Sequence, residues 1–122
     1  MDKIIINGLE IFAFHGVNPE EKVMGQKFIL DITAYTDLAR AGETDDLNDT
    51  VSYAKILKTA RNIFTQTKYD LLEKAAQSVA DGIFDAFPVV EALDVTVKKP
   101  SAPINAVFSW VGVEIHRERE TK

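Results

Sequence analysis

The 122-residue chain contains no cysteine. That excludes disulfides, thiolate zinc sites and a cysteine nucleophile. Histidine is nearly as scarce, with only His15 and His116, far apart in sequence. A zinc enzyme normally draws on three N, S or O ligands, and no His-rich or carboxylate–His cluster supplies them, so no metal is expected. The six glycines are scattered, without the G-x-x-x-x-G-K spacing of a phosphate loop. Ser101 and Ser109 have no nearby histidine, which argues against acyl transfer. Basic residues are outnumbered, 14 against 19 acidic, and the net charge of −5 argues against a nucleic-acid partner. Lys98-Lys99 still offers a local site for a small anion. No apolar run reaches the length of a membrane span, so no membrane partner is expected. Met1-Asp2-Lys3-Ile4 runs straight into a strand pattern with no signal peptide, which makes a cytoplasmic location the expectation.

What is present reads as one globular domain over 1–122. The hydrophobic fraction of 46% against 27% charged is enough for a real core. From Lys3 to His15 the chain alternates, with Leu9, Ile11 and Ala13 pointing one way and Glu10, Phe12 and Phe14 the other. Val17 to Glu21 reads as a loop. A second strand spans about Lys27 to Asp37, with Phe28, Leu30, Ile32 and Ala34 on one face, and Ala41 to Asp49 is a polar connection. Thr50 is a candidate cap for a helix carrying Tyr53, Ile56, Leu57, Ala60, Ile63 and Phe64 at helical spacing. Leu72, Ala75, Ala76, Val79, Ile83 and Phe87 repeat that pattern until Pro88 closes it. Leu93, Val95 and Val97 form a third strand ending at Pro100, and Val111, Val113 and Ile115 a fourth.

The order ββααββ predicts an α+β fold, two helices covering one face of a four-stranded, mainly antiparallel sheet. On the other face fall Phe12, Phe14, Ile29, Tyr35, Phe108 and Trp110, too apolar for open water. Either sheets of several subunits join over it, or one sheet curls to bury these rings within its own chain; assembly is the expectation.

Four polar residues fall at element junctions, where a scaffold holds functional groups outside its core. Glu21 follows the first strand, Tyr53 and Glu73 lie on the first turns of the two helices, and Lys99 ends the third strand. Each has an ordinary structural reading. Asp70-x-x-Glu73 fits a capping box, Tyr53 fits the helix's apolar stripe, Glu21 sits in a charged loop, and Lys98-Lys99 fits a surface pair. His15, before Gly16, reads as a turn residue with a satisfied ring rather than a catalyst.

In order and spacing these pieces resemble the dihydroneopterin aldolase family of the folate pathway. The matching motifs are Phe14-His15-Gly16, Glu21 with Gly25-Gln26, Thr50-Val51-Ser52-Tyr53, Leu71-Leu72-Glu73, and Lys98-Lys99-Pro100 followed by Ala102-Pro103-Ile104. The resemblance implies the tunnelling fold, with four subunits closing a barrel ring and two rings stacking into a homo-octamer. Active sites then lie between subunits, with Tyr53 and Val51 of one meeting Glu73 and Lys99 of another. It also implies that the Glu73 carboxylate anchors a pterin, helped by backbone groups near Leu72 and Val51, since paired bonds give orientation as well as affinity. Lys99 is the implied acid/base, Glu21 its positioning partner, and Tyr53 takes part in proton delivery; Ser52 is given no catalytic role.

No cofactor is implied, because the ring C=N bond of 7,8-dihydroneopterin can receive the electrons that a Schiff base or metal otherwise takes. A lysine acting as base near pH 7 needs burial or a neighbouring cation such as Lys98, while Glu21 pushes the other way. The implied products are 6-hydroxymethyl-7,8-dihydropterin and glycolaldehyde, with epimerisation to dihydromonapterin as a side activity. The alternatives are a dihydroneopterin triphosphate epimerase, for which Lys22, Lys74, Lys98 and Lys99 are the only candidate phosphate contacts, and a non-catalytic pterin or purine binder, which would need neither Lys99 nor Tyr53.

Overall fold

The structure is a computed structural model that describes residues 1–120; the last two of the expected 1–122 domain lie outside them. Four strands form one antiparallel sheet in the order β1-β2-β3-β4. They are β1 (Asp2–Ala13), β2 (Gln26–Thr36), β3 (Ala92–Lys99) and β4 (Val111–Glu118). Helices α3 (Tyr53–Gln66) and α4 (Leu72–Ala86) cover one face, as the ββααββ order predicts. The core lies between, where Phe28, Leu30 and Ile32 of β2 and Leu93, Val95 and Val97 of β3 meet Ile56 and Phe64 of α3 and Val79 and Ile83 of α4. Each such side chain contributes roughly 1.5–3 kcal/mol by leaving water. The two helices approach closely at Gly82, where a β-carbon would overlap the Ile63 side chain. No helix among the described residues is long and apolar enough to cross a membrane.

Strand β1 departs from simple alternation. Its register with β2 shifts between Ile6 and Leu9, with Gly8 at φ 76° and its N–H donating to Asp31 Oδ1 at 2.7 Å. The bulge changes the parity. Ile4 and Ile6 before it, and Leu9, Ile11 and Ala13 after it, all pack on the core side, while Ile5 stays exposed on the other face.

Two short helices were not expected. Helix α1 (Pro19–Met24) occupies the segment read as a loop, and α2 (Ala39–Thr44) with a 3₁₀ turn over Leu47–Asp49 fills the polar connection. The α1 signal was present: Asn18 precedes Pro19 at the first helical position and Glu21 follows three residues later. Thr50 does not cap α3. Ser52 does, its Oγ accepting from Lys55 N at 3.4 Å.

The face away from the helices is not curled into a second core. Ile5, Phe12 and Trp110 remain exposed there and Ile29 and Tyr35 only half-buried. Phe108 and Trp110 precede β4 in the loop rather than lying on the strand. Charge is threaded between the rings: Lys98 pairs with Asp31 at 2.7 Å and lies 4.9 Å from the Trp110 ring centre, and Asp94 bonds to both Tyr35 and His116.

Candidate active site

The core-facing stripes of three strands end in polar residues at the same end of the sheet. In β1 the series Leu9, Ile11, Ala13 leads to His15; in β3 Leu93, Val95, Val97 leads to Lys99; in β2 Gln26 precedes Phe28, Leu30 and Ile32. Because side chains alternate along a strand, these three inherit the inward direction of the apolar residues before or after them. Lys99 is thus 8% exposed, not one of a surface pair. Lys98 points to the opposite face and cannot be the neighbouring cation expected to act on Lys99.

Lys99 Nζ meets the carboxylate of Glu21, which α1 carries over the strand ends and which is itself 8% exposed, not solvated. Gln26 Nε2 also donates to Glu21 Oε2, at 2.8 Å, and Asn18 N donates to Oε1 at 3.3 Å. Burial pushes the Glu21 carboxyl up, but Lys99, Gln26 and the Asn18 N–H together outweigh it and hold it below the ordinary glutamate range. Gly16, at φ 148°, makes the room: a β-carbon there would overlap the Glu21 carboxylate.

His15 is buried and satisfied, as expected of it. Its Nδ1 accepts the Tyr69 N–H at 3.0 Å, which leaves Nε2 protonated to donate to the Phe64 carbonyl at 2.7 Å. Burial lowers its pKa; the Phe64 bond opposes this, and Lys99 and Lys22 add to it. Gly16 N donates to Tyr69 O at 2.9 Å, and Lys22 bridges Gly16 O and Asp70. These contacts strap the segment leading into α4 to the segment leading into α1.

That strap places Glu73. It lies in the first turn of α4, whose N-cap is Leu71 with no side-chain cap. The Asp70-x-x-Glu73 capping box is not formed, because Asp70 is drawn to Lys22. Glu73, Leu72, Glu21 and Lys99 line one cavity of about 370 Å³. A larger cavity, about 510 Å³, lies at the far end of α4, where Arg119 donates to the Phe84, Phe87 and Val90 carbonyls and Arg117 to Gln77; it holds none of Glu21, Glu73 and Lys99.

Tyr53 and Val51 are not brought to Glu73. Tyr53 is 70% exposed at the start of α3, not in the core, and Val51 lines a different hollow with Ser52 and Lys55. Among the described residues no group of three or more His, Asp or Glu is placed to hold a metal. Gln26 and Asn18 are site residues to which sequence reasoning assigned no role, and Lys22, weighed there only as a phosphate contact, instead ties Gly16 to Asp70.

Comparison with known proteins identifies the family. The family model described as dihydroneopterin aldolase matches residues 4–116. A dihydroneopterin aldolase of Methylorubrum extorquens is 42% identical, over 97% of this chain and 91% of its own. Dihydroneopterin aldolase 1 of Arabidopsis thaliana is 39% identical, over 98% of this chain and 83% of its own. The crystal structure of the Escherichia coli enzyme in complex with neopterin superposes with a TM-score of 0.87 at 31% identity, covering 96% of this chain and 99% of that one. The family model covers most of the chain, the relatives match along nearly its whole length, and the single sheet backed by two helices is shared with the solved structure: the protein belongs to the dihydroneopterin aldolase family.

Proposed function

We propose that this lyase of folate biosynthesis cleaves 7,8-dihydroneopterin at the cavity between Glu21, Glu73 and Lys99. The observation that carries the assignment of residues is the buried Glu21–Lys99 pair on the wall that also holds Glu73. Glu73 accepts two N–H bonds from the pyrimidine edge of the pterin, with backbone groups near Leu72 beside it. Lys99, cationic in its resting pair with Glu21, first releases a proton to solvent and then takes the one on the side-chain hydroxyl. The adjacent C–C bond breaks, glycolaldehyde leaves, and the bond's electrons pass into the ring C=N. Return of a proton to the exocyclic carbon gives 6-hydroxymethyl-7,8-dihydropterin. Glu21 holds Lys99 in place throughout. No Schiff base or metal enters these steps.

Tyr53 and Val51 join this site from a second copy of the chain, in a homo-oligomeric ring of four or its stacked octamer. Their position outside the cavity and the exposed rings on the open sheet face support that reading. Re-addition of the same intermediate to the other face of the glycolaldehyde carbonyl re-forms the C–C bond, and return of the proton to the new alkoxide gives epimerisation to 7,8-dihydromonapterin as a side activity. An unphosphorylated substrate is supported by the commitments of Lys22 to Asp70 and of Lys98 to Asp31, which leave little for three phosphates. A cytoplasmic location belongs to the same proposal and is open to cell fractionation.

The test is incubation of the purified protein with 7,8-dihydroneopterin, with and without a chelator, followed by product chromatography. Glycolaldehyde in both samples is expected. Its absence from both overturns the reading, and its loss with chelator overturns the metal-free steps.

A further inference from the structure

Gln26 has no explanation in packing. It opens the core-facing stripe of β2, opposite Ala13 in the register and in line with Phe28, Leu30 and Ile32. A leucine or methionine there would extend the apolar layer. Instead the amide brings a buried carbonyl, Gln26 Oε1, that accepts no hydrogen bond in the chain. The orientation is forced. An ionised Glu21 carboxylate only accepts, so the NH₂ end of the amide must face it and the oxygen must turn away. The fold tolerates one unmet acceptor in order to keep one donor aimed at Glu21, and an unmet buried polar group asks for such a reason.

Two further features serve the same alignment. Gly25, at φ 69°, turns the chain from α1 into β2, and a β-carbon there would run into the rings of Phe12 and Phe14. This tight junction sets Glu21 and Gln26, five residues apart, side by side. Gln26 and Lys99 then converge on the same carboxylate oxygen, Oε2, from neighbouring strands.

We propose that Gln26 is a positioning residue for the Glu21–Lys99 pair, its Nε2 holding the Glu21 carboxylate so that Lys99 is presented to the cavity shared with Glu73. The inference rests on the function proposed above for that pair. It predicts a division of labour: Glu73 governs how tightly the pterin binds, and Gln26 acts on turnover through Glu21.

The experiment is Gln26→Met, with Gln26→Leu as a second apolar variant. Both complete the stripe and remove the donor. The expected result is a kcat lowered on the order of 10–100-fold, as for a small misplacement of a reacting group, with KM and neopterin affinity changed less than about threefold and a melting temperature equal to or above that of the parent. The Glu21 carboxyl resonance, followed by ¹³C NMR and identified by its loss in Glu21→Gln, is expected to titrate at higher pH in the variants. Unchanged kcat and an unchanged Glu21 titration overturn the proposal, as does a fall in kcat that only tracks a fall in melting temperature. The NMR titration does not depend on turnover. A parent protein that cleaves no 7,8-dihydroneopterin therefore sinks the proposed function, while the hold of Gln26 on Glu21 is still decided by the resonance.

Discussion

Lys98 and Lys99 are adjacent in the chain and lie on opposite faces of the sheet. Lys98 pairs with Asp31 among the exposed rings, and Lys99 pairs with Glu21 at the end of the core. The two are therefore expected to respond differently to the same substitution. Lys99→Met should abolish cleavage and, by leaving Glu21 buried without its cation, destabilise the fold by about 3 kcal/mol. Lys98→Met removes a partly exposed pair and should change stability by less than about 1 kcal/mol. Product chromatography and chemical denaturation of both variants check this; comparable losses in the two would contradict the assignment of faces.

Glu73 and Ser52 occupy comparable places at the starts of α4 and α3 but do different things. Ser52 makes a cap bond and Glu73 makes none. Ser52→Ala should cost about 0.5–2 kcal/mol in stability. Glu73→Gln should cost almost none, yet lose pterin affinity, because one acceptor becomes a donor facing ligand N–H groups. Denaturant melts paired with neopterin titration separate the two effects.

If one site takes Tyr53 from one copy and Lys99 from another, two dead variants should rescue each other. Tyr53→Ala and Lys99→Met, each inactive alone, are expected to recover up to about a quarter of the parent rate when unfolded, mixed in equal amounts and refolded, as random pairing at a repeated interface gives. No recovery from a mixture shown to be co-assembled would place Tyr53 and Lys99 of the working site in a single chain.

The two histidines should act on stability with opposite signs. His15 has its pKa lowered, chiefly by burial, so its contribution is present above about pH 6.5 and is lost as pH falls below that value. His116, bonded to Asp94 and Glu118 on the exposed sheet face, has its pKa raised. Its contribution is present below about pH 6.5 and is lost as pH rises through the higher folded value. Stability measured from pH 5 to 8 should therefore lose part of its acid-side fall in a folded His15 variant such as His15→Gln, and part of its alkaline-side fall in His116→Gln.

The strands and the two long helices were legible because their apolar residues keep the periods of 2 and 3.6 that burial on one side imposes. Ile56, Ala60 and Phe64, or Leu93, Val95 and Val97, need no tertiary information to be placed. The β1 bulge was not legible. Ile4-Ile5-Ile6 satisfies either parity, and only the pairing with Ile32 and Ala34 decides it. The short helices escaped because six residues hold too few turns to display a period. For the candidate site, position in sequence singled out Glu21, Glu73 and Lys99, which the fold brings to one cavity, but misjudged their surroundings. Lys99 looked like half of a surface pair because period-2 reasoning was applied to the strand and not carried to its last residue. Asp70 looked like a cap because its competitor, Lys22, lies 48 residues away. Gln26 stood in a quoted motif without a role, since an amide's use depends on the partner it faces.

The open start of α4 also has a meaning for the protein's history. A helix whose N-cap is leucine forgoes roughly 1 kcal/mol that serine or aspartate would supply. Leu71→Asp is expected to raise the melting temperature, and also to occupy the amide hydrogens and the positive helix end beside Glu73 where the ligand would sit. Selection for thermal robustness and selection for pterin affinity thus pull against each other at one residue. A lineage adapting to heat would find its stabilising changes elsewhere in the chain, leaving position 71 apolar.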